Sequence, residues 1–229
     1  MSTLPMRAAA LGYAVDGVTL LHDLSFELQA GGPTVLLGSN GAGKSLTLRL
    51  CHGLLAPTSG TIEWRAETPG TQAMVFQRPV MLRRSTVANV EYVLGVRGLP
   101  KTRARDVLDR VGLAPLAHRA ARALSVGEQQ RLALARAWAL EPEVLFLDEP
   151  AASLDPAASH AVEEIIRAMD GAGTKIVMAT HDLSQARRLA GEVLFLHAGR
   201  LLESGPADAF FAEPRTEEAR AFLRGELTW

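Results

Sequence analysis

The sequence carries its most informative motif at Gly38-Ser39-Asn40-Gly41-Ala42-Gly43-Lys44-Ser45. This segment fits the pattern G-x-x-x-x-G-K-[ST] and follows the short apolar run Val35-Leu36-Leu37. A helical pattern then runs from Gly43 to about Leu55. A glycine-rich loop between a buried strand and a helix lets backbone N–H groups surround phosphate oxygens at the positive end of the helix dipole. The motif therefore predicts a nucleotide-phosphate site.

Two side chains of this motif have a chemistry of their own. Lys44 is placed to reach the β- and γ-phosphates as a point charge, and the Ser45 hydroxyl is placed to ligate Mg²⁺. The alternative interpretation is a glycine-rich turn that binds nothing. The strand before the loop and the helix after it favour the phosphate site.

An acidic pair follows a second apolar run. Val144-Leu145-Phe146-Leu147 reads as a buried strand, and Asp148 and Glu149 come directly after it. Ionised carboxylates at such a place are costly unless a cation or hydrogen bonds compensate them, and a nucleotide-bound Mg²⁺ supplies that cation. Successive strand residues point in opposite directions, so we expect Asp148 to hold Mg²⁺ and Glu149 to polarise the attacking water. Without the phosphate loop, two solvated loop acids would be the better interpretation.

The order of elements predicts the fold class. Leu4 to Leu28 reads as two strands around the turn Asp16-Gly17, and residues 85–123 show a helical pattern. Helices and apolar strands alternate after residue 124, and two short helices are expected between Pro206 and Leu227. The chain is thus predicted to be an α/β protein with a mainly parallel sheet and an N-terminal antiparallel β subdomain. An all-helical insertion at 78–123 would divide the nucleotide-binding lobe formed by 1–77 and 124–229.

Bulk composition restricts the class of protein. Hydrophobic residues make up 48% and charged residues 21% of the 229 residues, which argues against disorder. The formal net charge is −1, so no general attraction to nucleic acid is expected. The single cysteine, Cys51, excludes an intrachain disulfide and favours a reducing compartment. Since no run approaches the roughly 20 apolar residues of a membrane span, a membrane role is expected to come through a partner.

A third motif is Leu124-Ser125-Val126-Gly127-Glu128-Gln129-Gln130-Arg131, between the phosphate loop and the acidic strand. Ser125 and Glu128 form an S-x-x-E capping box, which predicts the start of a helix. The segment is similar to the LSGGQ-type signature, and with the two motifs above the chain resembles the ABC ATPases over nearly its whole length. The resemblance implies a P-loop NTPase core that binds ATP and Mg²⁺. It also implies an ATP-hydrolysing subunit of a membrane transporter.

The resemblance assigns further roles. Ser125, Gly127 and Glu128 would complete the ATP site of a second copy in a head-to-tail homodimer, and Gln77 would sense Mg²⁺ and couple to the membrane subunit. His181 resembles the switch histidine near the γ-phosphate, and Tyr13 the aromatic residue that stacks on adenine. Each has a structural alternative: a helix cap for Ser125, a surface amide for Gln77, a residue at a helix start for His181 and a packed strand residue for Tyr13. The implied loop contacts to nucleotide come from Ser39, Asn40, Gly41, Ala42, Gly43, Lys44, Ser45 and Leu46.

The sequence departs from the family pattern at a few positions. Val126 stands in place of the first glycine of the signature, and Glu128 in place of its glutamine. Leu46 replaces a threonine, so one hydroxyl contact to the α-phosphate is expected to be absent.

The segment after Gln77 resembles the ATPases of oxyanion importers, particularly those for tungstate. This resemblance implies a peripheral subunit on the cytoplasmic face of the membrane, bound to permease subunits and served by a substrate-binding protein, with tungstate or molybdate as cargo. An exporter or lipoprotein-releasing ATPase is an alternative. Two others are a soluble ABC ATPase acting on DNA or ribosomes, and a nucleotide-dependent switch. We also expect the apolar segment Val80–Leu82 to help form the groove that receives the permease.

Overall fold

A mainly parallel sheet forms the centre of the protein. The computed structural model describes residues 3–65 and 72–226. The strands of this sheet are β3 (Thr34–Leu37), β5 (Gln72–Val75), β6 (Val144–Asp148), β7 (Lys175–Thr180), β8 (Glu192–His197) and β9 (Arg200–Pro206). Within the described residues they follow the order β5-β6-β7-β3-β8-β9, and all pairs are parallel except β8 with β9.

Helices cover this sheet. β3, β6 and β7 are buried along their whole length, which is expected of parallel strands packed on both faces. The predicted mainly parallel sheet is therefore confirmed. The helices are α1 (Lys44–His52), α2 (Thr86–Val96), α3 (Arg103–Arg110), α4 (Val126–Trp138), α5 (Pro156–Gly171), α6 (Leu183–Leu189), α7 (Ala207–Ala212) and α8 (Glu217–Leu223). None of the helices in the described residues is long and apolar enough to cross a membrane.

A second, antiparallel sheet lies at the N-terminus, as predicted. It contains β1 (Met6–Val15), β2 (Val18–Leu28) and β4 (Ser59–Trp64) in the order β2-β1-β4. Asp16 and Gly17 both have positive φ, which is the geometry of a tight hairpin turn. The inner face of this sheet packs on α1 and on the central sheet through Leu11, Leu21, Leu48 and Phe146.

The helical segment between β5 and β6 contains α2 and α3, followed by 3-10 turns at Ala114–Leu116 and Ala121–Ala123. Its apolar residues, such as Val90, Leu94 and Leu108, belong to the same buried cluster as Leu132 of α4 and Leu145 of β6. Because that core is continuous, the predicted division at 78–123 stays a prediction.

One predicted boundary was wrong and one strand was missed. Helix α1 ends at His52 rather than near Leu55, because Gly53 adopts a left-handed conformation and its N–H returns to the carbonyls of Arg49 and Leu50. Strand β9 was not predicted. It follows a turn at Ala198 and Gly199, both with positive φ, and it lies at the sheet edge with exposed and buried residues mixed. The predicted C-terminal helices are α7 and α8, and the expected end at Leu227 lies outside the described residues.

A buried carboxylate of β9 holds the C-terminal helices in place. Glu203 is only 5% exposed and accepts hydrogen bonds from the Arg215 amide (3.0 Å), the Thr216 amide (2.6 Å) and the Thr216 hydroxyl (2.6 Å). Burial alone would raise the pKa of Glu203, but these hydrogen bonds outweigh it and lower the pKa. α8 begins at Glu217, directly after Thr216, so the Glu203 carboxylate fixes where this helix starts.

We expect Glu203→Gln to reduce the free energy of unfolding by about 2 kcal/mol at pH 7, because two amide donors lose a charged acceptor. The folded-state pKa of Glu203 is lowered, so its contribution is present above the unfolded pKa and is lost as the pH falls through the folded pKa. Urea unfolding should therefore show the difference shrinking below about pH 4. The exposed Glu218→Gln, in the first turn of the same helix, is the control and should have little effect. A Glu203→Gln difference that stays constant down to pH 2 would contradict this role.

Candidate active site

The loop between β3 and α1 follows the edge of the central sheet. Gly38 has φ 152°, and a Cβ there would lie 2.1 Å from the carbonyl oxygen of Leu196. Gly43 has φ 98°, and a Cβ there would lie 2.3 Å from Cδ2 of Leu21. Both positions therefore require glycine, for space as well as for backbone conformation.

Lys44 is buried in this loop. Its Nζ donates to the carbonyl oxygens of Gly38 (2.8 Å) and Ser39 (3.0 Å) and lies 3.7 Å from Oε1 of Glu149. Burial lowers the pKa of Lys44, and the carboxylates of Glu149 and Asp148 oppose this shift. The ammonium group is thus held at the mouth of the loop by oxygen atoms.

The two acidic residues point to different partners, but strand alternation is not the reason, because β6 ends at Asp148 and Glu149 lies beyond the strand. The buried Asp148 ends β6, and its Oδ1 accepts a 2.6 Å hydrogen bond from the Ser45 hydroxyl. Glu149 has φ 48°, and its amide donates to the carbonyl oxygen of Ala179 on β7 at 2.9 Å. The chain therefore turns sharply after Asp148, which separates the two carboxylates.

Glu149 meets His181 just beyond the end of the neighbouring strand β7. Nδ1 of His181 lies 2.9 Å from both carboxylate oxygens of Glu149. His181 follows β7, and the adjacent Asp182 caps α6 by accepting from the amides of Ser184 and Gln185. The carboxylate of Glu149 is thus shared between Lys44 and His181.

These residues line a cleft of about 300 Å³. Loop residues form one wall, and side chains from three other segments of the chain face them. The lining residues are Asn40, Gly41, Ala42, Gly43, Lys44, Ser45, Leu46, Gln77, Glu149 and His181. Asp148 joins the site through Ser45, and Ser39 through the carbonyl that accepts from Lys44.

Leu46 lines the cleft at the position where the family pattern has a threonine. The hydroxyl of the following residue, Thr47, does not take the place of the missing one. Thr47 is buried, and its hydroxyl donates to the carbonyl of Gly43 at 3.0 Å. The hydroxyl group is therefore committed to the helix rather than to the cleft.

Other predicted site residues lie away from this cleft. Tyr13 pairs with Leu21 across β1 and β2 and packs partly against the core of the antiparallel sheet. Ser125 caps α4: its hydroxyl accepts from the Glu128 amide (3.3 Å), while Oε2 of Glu128 accepts from the Ser125 amide (2.7 Å). Gly127 is buried in the first turn of α4. The nucleotide roles of these residues stay predictions.

Two contacts of the phosphate loop were not predicted from the sequence. Leu21 of β2 packs on Gly43, and the Gly199 amide donates to the carbonyl of Ala42 at 3.2 Å. The His22 amide in turn donates to the carbonyl of Gly199 at 2.8 Å. The hairpin of the antiparallel sheet and the β8–β9 turn thus support the loop from outside. Of these contact residues, only Gly199 carries a local sequence signal, because the glycine of the dipeptide Ala198-Gly199 is a typical turn residue.

Known proteins show the same architecture. The family model described as ABC transporter matches residues 21–152. The phosphate import ATP-binding protein PstB 2 of Natronomonas pharaonis is 34% identical, over 98% of this chain and 88% of its own length. The tungstate uptake system ATP-binding protein TupC of Peptoclostridium acidaminophilum is 36% identical, over 91% of this chain and all of its own length.

A solved structure agrees with the sequence relatives. cbiO1 of Clostridium perfringens, part of the ABC transporter complex cbiONQ, superposes with a TM-score of 0.81 at 29% identity, over 91% of this chain and 90% of its own. The chain therefore belongs to the ABC transporter family, as an ATP-binding subunit whose ATPase activity is coupled to transport.

Proposed function

We propose that the cleft at the β3–α1 loop hydrolyses MgATP to drive a separate permease. The observation that carries the proposal is the contact set of Lys44, Glu149 and His181, which places a cation, a carboxylate and an imidazole at the phosphate loop. Lys44 would bind the β- and γ-phosphates, and the loop amides would bind phosphate oxygens at the start of α1.

Ser45 and Asp148 have the donor chemistry that Mg²⁺ prefers. They bring a hydroxyl and a carboxylate oxygen to within 2.6 Å of each other, and the Gln77 amide lines the same cleft. When bound, Mg²⁺ neutralises charge on the β- and γ-phosphate oxygens.

We assign Glu149 as the general base. Its carboxylate accepts a proton as a water oxygen bonds to the γ-phosphorus, and the bond from that phosphorus to the bridging oxygen breaks to release ADP and phosphate. His181 contacts both carboxylate oxygens and so fixes their orientation. The positive φ of Glu149 directs its side chain in a different direction from that of Asp148, which points to Ser45.

A second copy would complete the site. Ser125 is exposed at the start of α4 and does not line the cleft of its own chain, so its predicted contact with nucleotide requires another protomer. We infer a head-to-tail homodimer that closes on two MgATP molecules and opens after hydrolysis.

The permease would dock in an apolar groove of about 380 Å³, lined by residues that include Leu54, Phe76, Pro79 and Val80. Val80 is 75% exposed, whereas Met81 is buried at 5% exposure and the Leu82 amide is bonded to Asn89. Of the predicted segment Val80–Leu82, only Val80 lines this groove. The subunit would thereby sit on the cytoplasmic face of the membrane.

We further propose an oxyanion, tungstate or molybdate, as the cargo of an importer with a substrate-binding protein. The relatives named for phosphate import and tungstate uptake support an oxyanion. Relatives named for L-cystine transport and methionine import have similar identity, 35% and 34%, so the cargo rests on the resemblance of the segment after Gln77.

We expect Glu149→Gln to lower ATP turnover by about 10²-fold or more while leaving MgATP binding intact, because the amide cannot accept the proton. Phosphate release measures turnover, and size-exclusion mass should shift from monomer to dimer with MgATP. Lys44→Ala should show neither the dimer nor protection by ATP against thermal unfolding. The exposed Glu164→Gln on α5 is the control and should behave as wild type. Wild-type turnover in Glu149→Gln would remove this residue as the base.

Val80→Cys is expected to cross-link to a cysteine placed in a cytoplasmic loop of the permease, in the assembled complex. Native Cys51 is buried, and burial raises its pKa to about 12, so it should not compete. Val18→Cys, on the exposed part of β2, is the control that should not cross-link. Equal cross-linking from both positions would argue against the groove.

The cargo proposal is tested on the substrate-binding protein that the proposed importer would use. Isothermal titration of that protein is expected to show tight binding of tungstate or molybdate, and none of L-cystine or methionine. Tight binding of an amino acid would contradict the oxyanion cargo, and a transporter that works without any binding protein would favour an exporter.

A further inference from the structure

Two helices follow the residues that meet in the cleft. α5 (Pro156–Gly171) begins seven residues after Glu149, and α6 (Leu183–Leu189) begins two residues after His181. The imidazole of His181 is half exposed, so packing holds it only in part. Its position on the Glu149 carboxylate therefore depends on where α6 lies relative to α5.

The start of α6 is shaped by local hydrogen bonds. The Asp182 amide donates to the Thr180 hydroxyl at 3.1 Å, and the Asp182 carboxylate accepts from two amides in the first turn of α6. A helix of seven residues is not stable by itself, so its direction must come from other parts of the fold. Ala186 and Leu189 bury its apolar face, but apolar contacts have no preferred direction.

Arg188, in the last turn of α6, supplies a directional contact. Its Nε and Nη2 donate to the two carboxylate oxygens of Glu163 on α5, at 2.8 Å and 2.7 Å. Glu163 is only 1% exposed, and a buried carboxylate is costly unless a cation pairs with it. Because a bidentate guanidinium pair has one favoured geometry, it holds α6 on α5 in a defined orientation.

The same guanidinium group also lies near the start of α6. The hydrogen bonds to Glu163 are the main cause that raises the pKa of Arg188, and the charge of Asp182 adds to it. Asp182 is the residue next to His181 and caps the helix. One cation is therefore attracted both to the middle of α5 and to the turn that carries the imidazole.

We propose that Glu163 and Arg188 are a positioning pair, which holds α6 on α5 so that Nδ1 of His181 stays on the carboxylate of Glu149 during hydrolysis. The inference rests on the proposed role of Glu149 as the base. Neither member of the pair lines the cleft. Loss of the pair is therefore expected to slow the chemical step and to leave the binding of MgATP, which depends on Lys44 and the phosphate loop, unchanged.

The test measures steady-state MgATP hydrolysis by the full chain, with variants of the two arginines beside Glu163. Arg188→Ala should lower kcat by about 10-fold and leave KM for MgATP within about 2-fold of wild type. Arg188→Lys keeps the charge without the bidentate geometry, so it should restore part of the loss. Arg167→Ala is the matched control, because Arg167 lies 3.7 Å from Oε2 of Glu163 but belongs to α5 itself, and its kcat should equal that of wild type.

A double-mutant cycle separates positioning from stability. If Arg188 acts through His181, His181→Ala/Arg188→Ala should have the single-turnover rate of His181→Ala, because the orienting group is already absent. Thermal unfolding gives the folded fraction of each variant, so that rates are compared per folded protein. The imidazole NMR signals of His181, identified by their loss in His181→Ala, should shift in Arg188→Ala and stay in place in Arg167→Ala.

The outcomes distinguish the pair from the proposed function. A lower thermal stability of Arg188→Ala, with kcat and the His181 signals unchanged, would overturn the pair, and so would additive losses in the double variant or an equal loss in Arg167→Ala. If Arg188→Ala does not fold, Glu163→Gln, which keeps the side-chain shape and an acceptor oxygen, is held to the same criteria. Wild-type turnover in Glu149→Gln is a separate result, which contradicts the proposed base whatever Arg188→Ala shows.

Discussion

The nucleotide site depends on how a buried ammonium group is held. Lys44 has left bulk water, and two backbone carbonyls and the Glu149 carboxylate replace part of its hydration. The carbonyls face inward because Gly38 takes a backbone conformation that a side chain would exclude. A phosphate oxygen entering the cleft would therefore meet a cation already positioned, at little cost in reorganisation.

Strand order explains why residues so distant in sequence meet around this cation. β6, β7 and β3 are neighbours in the sheet and run parallel, so their carboxyl ends lie side by side at one edge. Asp148, Thr180 and Leu37 end these strands, and the functional groups follow each of them. The Glu149 amide also bonds to the carbonyl of Ala179 on β7, which ties Glu149 to the strand that precedes His181.

The sequence was sufficient for the parts of this arrangement that depend on local geometry. The phosphate loop and the capping box of Ser125 each follow from a few adjacent residues. The divergence of Asp148 from Glu149 was expected from strand alternation, whereas the structure produces it by the positive φ of Glu149 after β6. The support of the loop by Leu21 and Gly199 depends on long-range packing, which no local pattern encodes. β9 was missed because it is an edge strand with exposed and buried residues mixed, and it ends in Gly205 and Pro206, so it resembles a loop. Tyr13 and the signature residues lie off the cleft, and only nucleotide and a second copy can test their roles.

The geometry also links the ATP cleft to the proposed permease groove. Gln77 lines the cleft, whereas Phe76, Pro79 and Val80 line the groove, so one short segment borders both. Helix α1 makes a second link, because it begins at Lys44 in the cleft and ends at His52 in the groove wall. A nine-residue helix is a rigid element about 13 Å long, so a shift of its phosphate end must move the other end as well. Transmission of nucleotide state to a docked permease would therefore run through this helix and the segment beside Gln77, and because Leu48 and Leu50 of α1 are buried in the core, displacement of the helix would shift that core as well.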